Sequence, residues 1–510
     1  MLSTTGQHAL RDPTELDYMD SPTFVGPVFA CTVFGTLSAP CDSPDSDAIM
    51  ARMSNTPVHL TFDGGTLVIT GGNPSLLEQL PGCRLDTRSN VFRAEGRSYR
   101  ALVEYLRQQQ IAYKDEARAF QPVDWKLRTS RDPFPHQKEA LATWWRAGGR
   151  GVVVLPTGTG KTFVAILTIQ HIGRPTLVIV PTIDLMSQWY SDLRVAFDVP
   201  VGLLGGGYHD LQPLTVTTYD SARIHLDRWG NRFGLLIFDE CHHLPGPSNY
   251  ISGIGSIAPY RLGLTATPER TDGQECLLDQ LIGPIVYRRE IKELAGDFLA
   301  EYRIERLYVE LTEEEAAHYQ QARDHYRQFC SDRGLSMTGA QGWQRFIQET
   351  CRSREGRAAF LAYQEQRRLA LAAPAKLKLL EKLLDKYRND RVIIFTYDNA
   401  TVYQIARQFL VPAITHQTKT RERKHILDGF QTGEYSVVVT SRVLNEGVDV
   451  PAANVGIVLS GTSTVREHVQ RLGRLLRKHG EKSALLIEVV TRGTVEEFIT
   501  QRRRQHHAYQ

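Results

Sequence analysis

The sequence predicts an α/β protein of two tandem lobes, with a small α+β unit ahead of them and a helical element between. Three observations predict it. Short apolar runs alternate with helical segments from about residue 131 to 300, and again from about 375 to 500. Such runs, each closed by a loop, mark buried parallel strands. The stretch at about 311–372 breaks this rhythm: it is charged, helical in pattern and almost without strand signal. Ahead of the first series, Val58, Leu60 and Phe62 alternate, Gly64-Gly65 offers a turn, and Leu67-Val68-Ile69 follows. That reads as a β-hairpin.

The elements follow in order. Residues 1–55 are rich in Ser, Thr, Pro and Asp and read as a loose leader. The small unit takes 56–125, and Tyr99, Leu102, Tyr105 and Leu106 give Ser98 to Ile111 helical spacing. The first lobe takes 126–305, with strands expected at 151–155, 176–180, 214–218, 235–238 and 262–265. The helical insertion takes 306–374. The second lobe takes 375–510, with strands expected at 392–395, 436–440, 455–459 and 484–490.

Composition narrows the class. The 510 residues are 42% hydrophobic, enough for several cores and too many for a disordered chain. A net charge of +3 is too mild to argue for nucleic acid by itself. Residues 1–60 hold seven acids against Arg11 and Arg52, while Arg502, Arg503 and Arg504 make a basic tail that reads as a solvated helix end. Seven cysteines without a C-x-x-C pair point to a reduced interior, not a disulfide scaffold. No signal-peptide order opens the chain, and no run approaches the roughly 18 apolar residues of a membrane span. A soluble, cytoplasmic protein is the expectation.

The sharpest motif is Leu155-Pro156-Thr157-Gly158-Thr159-Gly160-Lys161-Thr162, after an apolar strand and before the helical run 163–172. Glycines let backbone N–H groups approach a phosphate, and a helix N-terminus adds partial positive charge. Lys161 is then placed for the β/γ-phosphates of a nucleotide and the Thr162 hydroxyl for Mg²⁺. Leu155 stands where the full P-loop pattern has Gly. Thr157, Gly158, Thr159 and Gly160 are the expected cradle.

Phe238-Asp239-Glu240-Cys241-His242-His243 closes a later strand. A D-E pair alone is usually a solvated surface pair. About 80 residues beyond a P-loop, at the end of a buried strand, it reads as Asp239 for Mg²⁺ and Glu240 for the attacking water. Zinc is not expected at Cys241-His242-His243, because no second ligand cluster stands at suitable spacing. In the second lobe, Gln470-Arg471-Leu472-Gly473-Arg474-Leu475-Leu476-Arg477 places Arg474 and Arg477 three apart, on one helix face. Such guanidiniums stabilise charge on a transferring phosphoryl group. By itself the run is only a basic helix face.

Together these motifs resemble superfamily 2 helicases of the DExH type, whose two lobes are RecA-like. The resemblance covers about residues 131–500. It implies that Gln137, in Phe134-Pro135-His136-Gln137, reads adenine. Val180-Pro181-Thr182 through Gln188-Trp189 matches the first nucleic-acid-contact motif and Thr217-Thr218-Tyr219 resembles the second, which implies nucleic-acid contacts at Pro181, Thr182, Gln188 and Thr218, with further ones at Thr440 and Ser441 in Thr440-Ser441-Arg442 of motif V. Leu264-Thr265-Ala266-Thr267-Pro268 matches the coupling motif, with Thr265 and Thr267. Ile394-Phe395-Thr396 resembles motif IV. Asn445-Glu446-Gly447-Val448-Asp449 resembles motif V, with Gly447 and Asp449 on the nucleotide. His242 and Gln470 are the implied pair that reports nucleotide state between lobes.

Within that superfamily the chain resembles the XPB-type DNA repair helicases in their short prokaryotic form. Phe62-Asp63-Gly64-Gly65-Thr66-Leu67, Leu80-Pro81-Gly82 and Asp86-Thr87-Arg88 are similar to that family's damage-recognition domain. Arg270-Thr271-Asp272 stands where the family carries Arg-Glu-Asp, and the helical insertion stands where it has a thumb. The resemblance implies an ATP- and Mg²⁺-dependent DNA motor of 3′ to 5′ polarity. It implies contacts mostly to the sugar–phosphate backbone, a nuclease or repair-protein partner, and monomeric action. Three other readings stay open at this point. One is an RNA-directed DExH motor, set against Asp239-Glu240-Cys241-His242 and Thr265-Ala266-Thr267. Another is a DNA-stimulated remodelling ATPase that does not unwind, and the third is the motor subunit of a defence complex.

Overall fold

The computed structural model describes residues 56–503, apart from 271, 295, 297, 338, 442–452 and 461–483. The leader 1–55 and the expected site residues Gly447, Asp449, Gln470, Arg474 and Arg477 lie outside the described residues.

The hairpin forms as strands Val58–Asp63 and Thr66–Thr70, and helix Tyr99–Gln108 follows. Two further strands, Cys83–Asp86 and Val91–Glu95, and a short one at Tyr113–Asp115 complete a five-stranded sheet. The apolar faces of sheet and helix close a small core around Leu60, Leu67, Leu102 and Leu106. This unit sits backbone-close on the first lobe. Gly65 N–H donates to Asp227 O at 3.1 Å, and a Cβ at Gly96 would stand 3.0 Å from the Ser256 main chain.

The first lobe is an eight-stranded sheet. Its order is Ile285–Arg288, Arg150–Val154, Tyr260–Thr265, Leu235–Asp239, Thr176–Val180, Leu214–Thr218, Gly202–Gly205 and Tyr208–His209. All its pairings are parallel except the last. Leu235 and Ile237 enter the core on one face, Leu236 and Phe238 that on the other. Burial on both faces is why these strands read as unbroken apolar runs. Gly202–Gly205 and Ile285–Arg288 escape a sequence reading because the first is short and glycine-bounded and the second lies at the sheet's edge, half exposed.

Among the described residues the second lobe holds a six-stranded, all-parallel sheet ordered Tyr302–Val309, Ala484–Thr491, Val455–Val458, Val392–Phe395, Val437–Thr440 and Ala413–Ile414. The boundary expected at 305 falls inside strand Tyr302–Val309, which pairs with Ala484–Thr491 along its whole length. The three helices Glu313–Asp332, Gly339–Arg352 and Arg354–Leu371 therefore leave and rejoin the second lobe after its first strand. That strand's charged Arg303, Glu305 and Arg306 break the apolar run and hide its strand character in the sequence. A buried ion pair, Lys376 with Glu496 at 2.7 Å, ties helix Pro374–Lys386 to the lobe's last helix. Among the described residues no helix is long and apolar enough to cross a membrane.

Candidate active site

In parallel α/β sheets the ligand site forms at the carboxyl ends of the strands. Here Arg150–Val154, Leu235–Asp239 and Tyr260–Thr265 are sheet neighbours, so their following loops meet. The P-loop climbs from Val154 to Gly160, the left-handed residue (φ +83°) that precedes helix Lys161–Ile172. Gly158 is also left-handed, at φ +90°. A Cβ at Gly160 would stand 2.4 Å from Gln137 Nε2, so glycine is required there for space as well as backbone. The loop lines a cleft of about 450 Å³ together with Arg131, Phe163, Gln188, Asp239 and Glu240. The Thr157 hydroxyl is buried there without a hydrogen-bond partner among the described residues. A glycine cradle at a helix N-terminus, Lys161 and an unpartnered buried hydroxyl fit a bound nucleotide's phosphates.

Lys161 Nζ donates to Leu155 O at 3.3 Å and stands 4.0 Å from Glu240 Oε1. Asp239 is buried at the strand end. Its Oδ2 accepts the Trp189 indole N–H at 2.7 Å, and its Oδ1 accepts Glu240 N–H at 3.0 Å. Burial, then the neighbouring Glu240, push the Asp239 carboxyl up to about 6, against the pull of Lys161 and the indole. Glu240 lies in the left-handed region (φ 45°, ψ 52°), uncommon for a residue with a side chain. Such strain clusters at active sites, and here it turns the carboxylate from the strand toward Lys161 and His242.

Behind Glu240 the expected coupling residues converge. His242 Nδ1 lies 3.0 Å from Thr265 Oγ1 and 3.4 Å from Glu240 Oε2. Thr265 Oγ1 accepts Thr267 N–H at 3.2 Å. Arg270 donates to the His242 carbonyl and grips Asp272 with both arms, at 2.8 and 2.5 Å, holding that carboxyl near 2.

Other expected residues lie behind the P-loop, along the cleft and at strand ends. Gln137 is fully buried: its Oε1 accepts Phe134 N–H at 3.0 Å, and its Nε2 donates to Thr159 O at 2.9 Å. It braces the P-loop from behind. Gln188, expected at nucleic acid, lines the nucleotide cleft. Thr182 and Thr218 cap helices Ile183–Phe197 and Tyr219–Trp229 at the ends of paired strands. Thr440 is buried, its hydroxyl donating to Ile414 O at 3.0 Å, and Ser441 is nearly as enclosed. Arg423 of the second lobe is ion-paired with Asp184 in the first turn of helix Ile183–Phe197. Sequence reasoning missed Arg131, which packs over Phe134 and Phe163 at the cleft wall, and the role of Trp189. Arg131 carries no local signal, and Trp189 stands in a motif that points to nucleic acid rather than to Asp239.

Comparison with known proteins decides the family. Residues 60–117 match the Xeroderma pigmentosum group B helicase damage recognition domain. Residues 130–270 match the type III restriction enzyme res subunit, and 375–479 the helicase conserved C-terminal domain. The chain is 41% identical to the DNA 3′-5′ translocase XPB2 of Sulfurisphaera tokodaii, over 83% of this chain and 96% of that one. The chain belongs to the XPB family of helicases. It is also 30% identical to the DNA 3′-5′ helicase XPB of Kineococcus radiotolerans, over 73% of this chain and 61% of that longer relative. The XPB-type fold extends to more distant proteins. The Hef helicase domain of Pyrococcus furiosus superposes with a TM-score of 0.53 at 20% identity, covering 73% of this chain and 98% of Hef. Dbp5 of S. cerevisiae does so at 0.52 and 13%, covering 75% and 89%. Membership of this helicase family implies nucleotide binding.

Proposed function

We propose that the chain is an ATP-driven DNA helicase or translocase moving 3′ to 5′ and serving DNA repair or processing. The observation that carries the reading is the meeting, in one cleft, of Lys161, Asp239 and Glu240, with Glu240 backed by His242 and Thr265. The chain that holds this cleft also matches a damage-recognition domain.

In this reading Lys161 and the P-loop amides hold the β/γ-phosphates, and Thr162 and Asp239 hold Mg²⁺. The cation supplies charge neutralisation on the phosphates when bound. Lys161 stands within reach of Glu240 and can exchange that carboxylate for a phosphate oxygen, which frees Glu240 to orient water. The His242–Thr265–Thr267 chain carries the position of Glu240 to the loop after strand Tyr260–Thr265. Gln470 is assigned to meet His242 from the second lobe. Arg474 and Arg477 are assigned as the guanidiniums that complete the site, and Gly447 and Asp449 as further nucleotide contacts. The DNA backbone crosses Pro181, Thr182 and Thr218 in one lobe and the Thr440-Ser441 turn in the other. Single-chain action with a nuclease or repair-protein partner completes the proposal.

The test is ATP hydrolysis by the purified chain alone, then with single-stranded DNA, duplex DNA and RNA. Stimulation by DNA and not RNA supports the reading, followed by strand displacement on 3′-tailed but not 5′-tailed duplexes. Equal stimulation by RNA, or none by any nucleic acid, overturns it.

A further inference from the structure

Helix Ile183–Phe197 begins at the expected strand-contact residues and passes along the nucleotide cleft. Its Trp189 belongs to a segment that the motif scheme gives to nucleic acid. The side chain points the other way. It is 2% exposed, and its indole N–H ends on a carboxylate oxygen of Asp239 at 2.7 Å.

Burying an indole does not call for a carboxylate. Two other buried tryptophans of the lobe satisfy their N–H on main-chain carbonyls: Trp125 on Arg174 O at 2.9 Å and Trp144 on Arg261 O at 3.0 Å. A carbonyl acceptor fixes the tryptophan. A carboxylate acceptor also fixes the acid, because the Asp239 side chain turns freely about its own bonds and the main-chain amide of Glu240 holds only Oδ1. With the indole on Oδ2, both oxygens are held. The Tyr219 hydroxyl donates to the Asp239 carbonyl at 3.1 Å, so the backbone is held as well.

We propose that Trp189 is a positioning residue for the cation seat: its indole N–H fixes the Asp239 carboxylate in the orientation that a divalent cation requires. This rests on the reading of Asp239 as the cation-holding carboxylate. Groups that orient a metal-binding carboxylate contribute to affinity by limiting its alternatives, typically about 10- to 100-fold when lost. Trp189 itself touches neither nucleotide nor cation. Its effect is therefore confined to steps that need the cation.

The experiment uses the full chain and a fluorescent ADP analogue, with binding followed in excess EDTA and then across a Mg²⁺ titration. Trp189→Phe removes the N–H while keeping an aromatic ring. Replacement of Trp189 by β-(3-benzothienyl)alanine, which has the indole's outline and no N–H, serves if the smaller ring loosens the fold. In both variants the Mg²⁺ concentration for half-maximal enhancement of binding rises about 10- to 100-fold, while affinity in EDTA is unchanged. Trp144→Phe leaves the Mg²⁺ response as in wild type. The inference is overturned if the Mg²⁺ response of both Trp189 variants equals wild type. It is also overturned if affinity falls equally with and without Mg²⁺, which is what a purely structural tryptophan gives. A wild-type protein with no Mg²⁺ response fails at the earlier step, the assignment of Asp239 itself.

Discussion

The Asp239 carboxylate makes the ligand-free fold less stable at neutral pH, and Asp239→Asn exposes this. The ordinary carboxyl value is about 3.9, and in the fold burial and then Glu240 raise it to about 6. A raised value means that the protonated form is favoured by the fold. The contribution is complete below about pH 4 and is lost as pH rises through about 6. At about 1.4 kcal/mol for each tenfold change in proton affinity, the ionised form costs the fold about 3 kcal/mol at pH 7. Asparagine stays neutral and escapes this term. Its single carbonyl oxygen can accept from Trp189 or from Glu240 N–H but not both, a pH-independent loss of about 1–3 kcal/mol. The slope, not the offset, is therefore the prediction. Between about pH 5 and pH 7.5, wild type loses on the order of 1 kcal/mol relative to Asp239→Asn. In a lobe of this size that is a relative shift of about 2–4 °C in melting temperature. Thermal unfolding of both proteins in EDTA across this range, compared at each pH, cancels the titrating groups that lie away from Asp239 and its neighbours Glu240 and Lys161. A difference that stays flat with pH refutes the reasoning.

Lys161→Ala abolishes ATP turnover and leaves DNA binding intact, seen as loss of phosphate release with unchanged fluorescence anisotropy on a labelled duplex; turnover at the wild-type rate removes the P-loop assignment. Lys376→Met leaves Glu496 charged and buried at 2% exposure, so the second lobe loses about 3–5 kcal/mol, read as faster amide exchange in strand Ala484–Thr491. Leu410 ends helix Asn399–Phe409 in the left-handed region at φ 53° with its side chain 90% exposed. Leu410→Gly relieves that strain and stabilises by about 0.5–1 kcal/mol in a thermal melt.

Local chemistry made the catalytic loops legible. A phosphate cradle needs glycines at fixed offsets between a strand and a helix, and Gly158 and Gly160 take the left-handed angles that only glycine adopts freely. The strands behind them were legible because both of their faces are buried. What escaped depends on partners distant in the chain. Trp189 meets Asp239 across 50 residues. Arg261 is fully buried and donates to the main-chain carbonyls of Ser256, Ala258 and Leu281 among others, and no charge pattern announces it. Strand Tyr302–Val309 joins the second lobe by pairing with residues about 180 positions later, so its own polar sequence conceals its lobe.

The same distinction bears on mechanism. Glycines and acids of the loops name the chemistry, but their geometry is set by helix Ile183–Phe197, which one motif assigns to nucleic acid. Its start carries Thr182, its first turn is ion-paired to the second lobe through Asp184 and Arg423, and its next turn holds Asp239 through Trp189. At about 1.5 Å per residue, Asp184 and Trp189 are roughly 7–8 Å apart along one rigid rod. A displacement of the second lobe or of a bound strand that shifts this helix must reach the Asp239 carboxylate, because the indole–carboxylate bond tolerates only a few tenths of an ångström. Separating the ends is the decisive comparison. Asp184→Asn removes the charge from the link to the second lobe and leaves the indole in place, so it weakens DNA stimulation of ATP hydrolysis without moving the Mg²⁺ response of nucleotide binding. Trp189→Phe moves the Mg²⁺ response. If Asp184→Asn moves the Mg²⁺ response as Trp189→Phe does, the two ends are not separable and the helix is only a shared scaffold.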